Sequence, residues 1–197
     1  MQSINDLIEL LKNKIHDDFE KSKEVGRNNI FRGHLRSISA DAEDGIACFI
    51  SDILPQEYKL ILDPSIHIND TNNRPDLLVV NEKKSVVAMI EIKSNMGYCR
   101  NATEVIDKIV SNNEKFANEK TLECEFSNFP SMQVSYGENV KLFLIALTSD
   151  NCSQKSHDKN KAYADKNNVL YMNLFSGWYY DLLDQDIQNF ISELQKI

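Results

Sequence analysis

Along residues 3–15, Ile4, Leu7, Ile8, Leu11 and Ile15 recur at helical spacing between polar neighbours, so the chain is expected to open on an amphipathic helix. The stretch 21–37 (KSKEVGRNNIFRGHLRS) loses that period, is interrupted by Gly26 and Gly33, and reads as a basic loop. Ser39 then offers an N-cap to a helix over about 40–54, with Ile46, Phe49, Ile50 and Ile53 turned inward and Pro55 ending it. Short β-patterned runs follow. Residues 58–62 and 66–68 read as a first strand or a bent pair. Residues 76–80 and 85–92 flank the polar turn Asn81-Glu82-Lys83-Lys84 and predict an antiparallel hairpin. A polar helix is expected at 102–118, a buried central strand at 140–147, a helix at 158–167, a strand at 169–174 and a closing helix at 181–195.

With no repeat, low-complexity tract or linker, this order describes one mixed α/β domain. The N-terminal helix and basic segment occupy 1–39, the core 40–174 and the C-terminal helix 175–197. Composition agrees: 42% hydrophobic and 26% charged residues are globular values. No basic start followed by an apolar run and a cleavage site suggests a signal peptide, and no uncharged apolar run reaches the roughly 18 residues of a membrane span. A soluble, cytoplasmic protein without membrane contact is expected. The cysteines Cys48, Cys99, Cys124 and Cys152 are too scattered for a zinc ribbon or finger and read as reduced thiols.

Strand alternation then selects the candidate chemistry. In 86–93 strict alternation puts Val87, Met89, Glu91 and Lys93 on one face and Val86, Ala88, Ile90 and Ile92 on the other. Glu91 and Lys93 thus end an otherwise apolar strand, and Asp76 starts the strand across the hairpin. Two carboxylates so placed can hold a hard cation such as Mg²⁺, and a lysine beside them can orient a water or stabilise developing charge. The same residues also admit a plain surface ion pair between Glu91 and Lys93.

Pro75-Asp76, followed after a hairpin by Glu91-Ile92-Lys93, resembles the signature of the PD-(D/E)xK nuclease superfamily, which includes type II restriction endonucleases, Holliday-junction resolvases and repair exonucleases. The resemblance implies a restriction-endonuclease-like fold, a mixed central sheet flanked by helices with an α-β-β-β-α-β core over roughly 40–174. It also implies Mg²⁺-dependent phosphodiester hydrolysis, with Mn²⁺ substituting, Asp76 and Glu91 as metal ligands, the Ile92 carbonyl as a third, and Lys93 near the nucleophile. Glu43, on the inward face of the 40–54 helix with Ile46, Ala47 and Ile50, resembles the additional acidic residue many members supply; Asp41 and Asp44 face away. Glu43 can equally be a first-turn glutamate favoured by the helix dipole. The glutamine-containing helix motif of the exonuclease branch is absent.

The expected activity is a DNA endonuclease of the restriction or phage-defence kind, a homodimer where both strands are cut. A structure-specific or RNA-directed nuclease, or a non-catalytic binding module on the same fold, are the alternatives. The net charge of −8 opposes a polyanionic partner, but its distribution is uneven. Residues 41–80 carry eight acidic side chains against Lys59 and Arg74, whereas 1–40 sum to +1. Arg27, Arg32 and Arg36 are therefore the expected phosphate contacts, joined by Asn95 and Arg100 just after the motif. Ser94, Tyr98 and Asn101 are further loop candidates, and Lys108 and Lys115 are candidates on the next helix. His34, His67 and His157 read as isolated histidines, and Gly177-Trp178-Tyr179-Tyr180 as packing of the last helix in preference to a stacking platform.

Overall fold

The computed structural model describes residues 39–96, 102–126, 130–148, 152–176, 181–182 and 184–197. Helix α1 (Ser39–Ile53) buries Ile46, Ala47 and Ile50 on one stripe and closes with the Leu54 amide donating to the Ile50 carbonyl, 2.9 Å, just before Pro55. The strands are β1 (Lys59–Leu62), β2 (Ile66–Ile68), β3 (Thr71–Asn73), β4 (Leu77–Val80) and β5 (Ser85–Asn95). Helix α2 (Ala102–Glu119) leads to β6 (Thr121–Cys124) and the 17-residue β7 (Met132–Thr148). Helix α3 (Gln154–Lys166), β8 (Val169–Asn173), the short β9 (Phe175–Ser176) and β10 (Asp181–Leu182), and helix α4 (Asp184–Leu194) complete it.

The main sheet runs β1-β4-β5-β7-β6, with β8 also on β7. β1, β4 and β5 are antiparallel neighbours; β5, β7 and β8 are parallel. Parallel strands need a crossover, and α2 and α3 supply them. α2 and α3 cover one face through Ile106, Ile109, Phe116 and Ala164; α1 and α4 cover the other through Ile46, Ile50, Phe190 and Leu194. The expected mixed α/β sheet flanked by helices is thus the architecture found. β4 and the apolar part of β5, buried on both sides, read as near-continuous hydrophobic runs for that reason.

Several expectations need correction. Residues 66–68 do not extend the first strand: they pair with 71–73 in a separate hairpin. The turn between β2 and β3 uses Asn69 and Asp70 at positive φ, a conformation these two residue types tolerate. The central strand starts at Met132, not 140, because its first half pairs with β6, which carries only two buried side chains and so gave a weak signal. α3 begins at Gln154, four residues before the expected 158, since Ser153 caps it. The closing helix starts at Asp184; residues 181–182 belong to a two-residue strand. Strict alternation also fails at Val87, where a bulge shifts the register between Val86 and Ala88. Val86 therefore joins Met89 under α2, and Val87 packs with Ala88, Ile90 and Ile92 on the opposite face.

Phe143, fully buried on β7, meets Phe190 of α4 edge-to-face at 5.3 Å. Phe143→Ala is expected to lower the unfolding free energy by about 3–5 kcal/mol. In urea denaturation a double-mutant cycle with Phe190→Ala should show a coupling of about 1 kcal/mol. A coupling near zero would mean that α4 does not dock on β7.

Candidate active site

The antiparallel ladder between β4 and β5 ends at Leu77 opposite Ile90. Beyond it the amide of Ile92 has no strand partner on that side, and Asp76, held just before β4 by the buried Pro75, takes its place. Its Oδ2 accepts the Ile92 N–H at 2.6 Å, while its carbonyl accepts the Asp63 N–H at 2.9 Å. One residue later Lys93 reaches back over the strand end. Its Nζ lies 2.7 Å from Glu91 Oε1, 3.1 Å from the Ile92 carbonyl oxygen and 3.4 Å from Asp76 Oδ2. Glu91 is only 4% exposed, which a casual surface ion pair would not be. Lys108 of α2 adds a second ammonium on Glu91 Oε1 at 3.3 Å, its own side chain more than half exposed.

The electrostatics follow from that crowding. Burial, then the neighbouring Glu91 charge, raise the Asp76 pKa despite Lys93 and the Ile92 N–H. Glu43, half-buried on α1, is raised by burial and then by the charges of Asp76 and Asp63. For Lys93 burial opposes the charge, but Glu91 and Asp76 together outweigh it and the pKa is raised. Lys93 is therefore a fixed cation at neutral pH. Asp76, Glu91 and Glu43 against the ammoniums of Lys93 and Lys108 leave an excess of negative charge that a further cation would relieve.

Among the described residues no three His, Cys, Asp or Glu side chains gather closely enough to hold an ion by themselves. A donor set that includes backbone fits better. Asp76 Oδ2, Glu91 Oε1 and the Ile92 carbonyl all lie within 3.4 Å of one positively charged atom, Lys93 Nζ. Hard oxygen donors converging on a cation are the chemistry Mg²⁺ or Mn²⁺ takes, so the residues present fit the metal.

Other candidates fall outside this cluster. Asn95 ends β5 opposite Thr148. The side chains of Ser94 and Asn95 lie outside the described residues, as do Arg27, Arg32, Arg36, His34, Asp41, Tyr98, Cys99, Arg100, Asn101 and residues 177–180. Asp44 and Lys115 are exposed. His67 faces Glu125 at 3.6 Å on the surface. Cys124 is buried with its thiol pushed up to about 11 by desolvation, a packed group and a poor nucleophile. The sequence reading missed the polar group formed by Tyr171, Asn173 and Asp186, which no spacing along the chain announces.

The raised pKa values carry a sign. A carboxyl that binds its proton more tightly when folded contributes stability below its ordinary value, 3.8 for Asp76 and 4.5 for Glu43, and that contribution is lost as pH rises through the folded value. Asp76→Asn keeps an acceptor for the Ile92 N–H and removes one of the two titrations. Unfolding measured from about pH 4 to about pH 7 should therefore show a smaller fall, or a larger rise, in stability for Asp76→Asn than for the wild type. Parallel curves would mean that the Asp76 charge costs the fold nothing.

No family model matches the chain, and no curated protein matches its sequence. Among solved structures the chain is similar to NucC of P. aeruginosa ATCC27853 in its cAAA-bound form. The TM-score is 0.51 at 15% identity, over 99% of this chain and 92% of that one. At that identity the likeness speaks for the fold: a restriction-endonuclease-like mixed sheet flanked by helices.

Proposed function

We propose that this chain is a Mg²⁺-dependent endonuclease that hydrolyses phosphodiester bonds in DNA, of the restriction or phage-defence kind, acting as a homodimer where both strands are cut. The observation that carries the reading is the convergence of Asp76 Oδ2, Glu91 Oε1 and the Ile92 carbonyl on the Lys93 ammonium at the end of a PD…ExK hairpin. The fold likeness to NucC, which spans nearly the whole of both chains, agrees with it.

Asp76, Glu91 and the Ile92 carbonyl would hold the ion, with Glu43 completing the set. When bound, Mg²⁺ supplies Lewis-acid polarisation of a phosphoryl oxygen and a lower pKa for water. The attacking water would lose its proton to solvent as its oxygen bonds to phosphorus, and the leaving ribose oxygen would take a proton from solvent as its own bond to phosphorus breaks. Lys93 would donate to the phosphoryl oxygens as negative charge develops. Lys108 holds Glu91 from α2, fixing which carboxylate oxygen faces the reaction.

The test is cleavage of supercoiled plasmid, linear DNA and RNA by purified protein in Mg²⁺, with and without chelator and with and without cAAA, the molecule bound in the NucC structure. Cutting of DNA that stops with chelator is expected. Asp76→Ala, Glu91→Ala and Lys93→Ala proteins that retain their fold should each lose at least about a hundredfold in rate. Thermal melts give a second readout. Mn²⁺ should raise the wild-type midpoint by relieving carboxylate repulsion, and Asp76→Asn should gain little. Chelator-resistant cutting, full activity in two of the variants, or identical wild-type melts with and without millimolar metal would each defeat the reading. Chelator-sensitive cutting of RNA alone would move the substrate to RNA.

A further inference from the structure

At the carboxyl end of β8 stands a second polar assembly that none of the chemistry above uses. Asn173 is 1% exposed, and its Oδ1 accepts the Tyr171 hydroxyl at 3.1 Å. Its amide nitrogen lies 3.3 Å from His157 Nδ1, and the His157 ring meets Tyr171 edge-on, centroids 5.7 Å apart. Since the Asn173 group facing His157 is an N–H donor, Nδ1 must accept, and the ring proton sits on Nε2. A half-buried histidine is thus fixed in both orientation and tautomer, with Nε2–H as a donor that no described residue takes up. Four residues along α3, Lys161 lies 3.6 Å from one Asp186 oxygen, while the other oxygen accepts the Asn173 backbone N–H at 3.3 Å. The Lys161 side chain is 45% exposed.

Sheet register ties this assembly to the carboxylates. Lys93 pairs with Ala146, and Ala146 with Asn173. Met89, Ala146 and Tyr171 share the cluster beneath α2, so Lys93 and Asn173 point to the same face with only an alanine methyl between them. Two strand spacings put their Cα atoms roughly 10 Å apart. Phosphates of one strand wind around the axis and so lie farther apart than the axial rise of about 3.4 Å, which puts the assembly within one or two nucleotides of Lys93 along a bound strand.

We propose that His157 and Lys161, braced by Asn173 and Asp186, form a phosphate-binding subsite for the nucleic-acid strand held at Asp76, Glu91 and Lys93. This rests on the nuclease reading. The chemistry is that of a phosphodiester: an imidazole N–H donor and an ammonium one helical turn apart on α3, with the Asp186 carboxylate that faces the ammonium already engaged by a backbone amide. The subsite would lie outside the reacting atoms, so it acts on binding and leaves the chemical step alone.

Steady-state cleavage of a DNA oligonucleotide by wild type, His157→Ala, His157→Gln and Lys161→Met tests it. His157→Ala and Lys161→Met should each raise KM about tenfold with kcat within about twofold, and His157→Gln, which keeps an N–H, should fall between wild type and Ala. Lys161 is surface-exposed, so its variant stays informative if His157→Ala unfolds. ¹⁵N NMR of the His157 ring should show Nε2 protonated and Nδ1 bare. Unchanged KM in Lys161→Met, or the opposite tautomer, would overturn the proposal. If the wild type cuts nothing, the nuclease reading fails separately, and anisotropy binding of the same oligonucleotide in Mg²⁺ decides this one. The slope of log affinity against log salt should then fall by about 1 in Lys161→Met. An equal slope, or no binding by wild type, would overturn it.

Discussion

The buried carboxylate of Glu91 and the half-buried one of Asp76 share the ammonium of Lys93 at the point where the β4–β5 ladder runs out. Much of the site follows from that arrangement. Bringing Glu91 to 4% exposure is costly unless its charge is met, and the low dielectric that makes it costly also strengthens the contact with Lys93. The Ile92 amide would be a stranded donor two residues past the last paired position, and the Asp76 carboxylate removes that penalty. The same groups thus terminate the sheet and collect charge. A strand end that needed only capping would be served by one neutral acceptor; here two acids share Lys93 and Lys108, and burial first and neighbouring carboxylate charge second, a shortfall of both water and counter-charge, raise the Asp76 and Glu43 pKa values.

The surrounding fold keeps that shortfall from relaxing. β5 lies between the antiparallel β4 and the parallel β7, with helices on both faces, so Glu91 and Lys93 cannot swing away without breaking paired backbone. The parallel half matters equally. Crossovers through α2 and α3 begin at the carboxyl ends of β5 and β7, which brings Lys108 and His157 to the end of the sheet where the carboxylates sit. An all-antiparallel sheet would reverse alternate strands and scatter those positions between its two ends.

Legibility followed locality. The Asp76, Glu91 and Lys93 grouping could be read because one hairpin and a two-residue period fix it, and the fold class because long apolar runs alternated with helical periods. What failed depended on partners far along the chain. The bulge at Val87 is invisible in a run of small apolar residues that suit either face, and correcting it changes the side of Val86 and Val87 without touching Glu91, which lies beyond it. Strand β6 has four residues and half its side chains exposed, so only its pairing with β7 makes it a strand. His157 seemed isolated because its partners Tyr171 and Asn173 are 14 and 16 positions away and meet it only through the α3 crossover. The tautomer, and with it the donor, comes from that tertiary contact alone.

The remaining tension is between a chain of net charge −8 and a polyanionic partner. Net charge governs long-range approach, whereas binding depends on charge within about a Debye length, roughly 8–10 Å. At the sheet end Asp76, Glu91 and Glu43 outnumber Lys93 and Lys108, and a divalent ion on Asp76 and Glu91 would reverse the local sign. On the proposed nuclease reading the acidic surplus would then act as a condition on binding: without the ion the site would repel phosphate, and with it the lysines would face phosphate unopposed. In such an arrangement the metal gates access to the site as well as the reaction, which makes an overall acidic composition compatible with a nucleic-acid substrate.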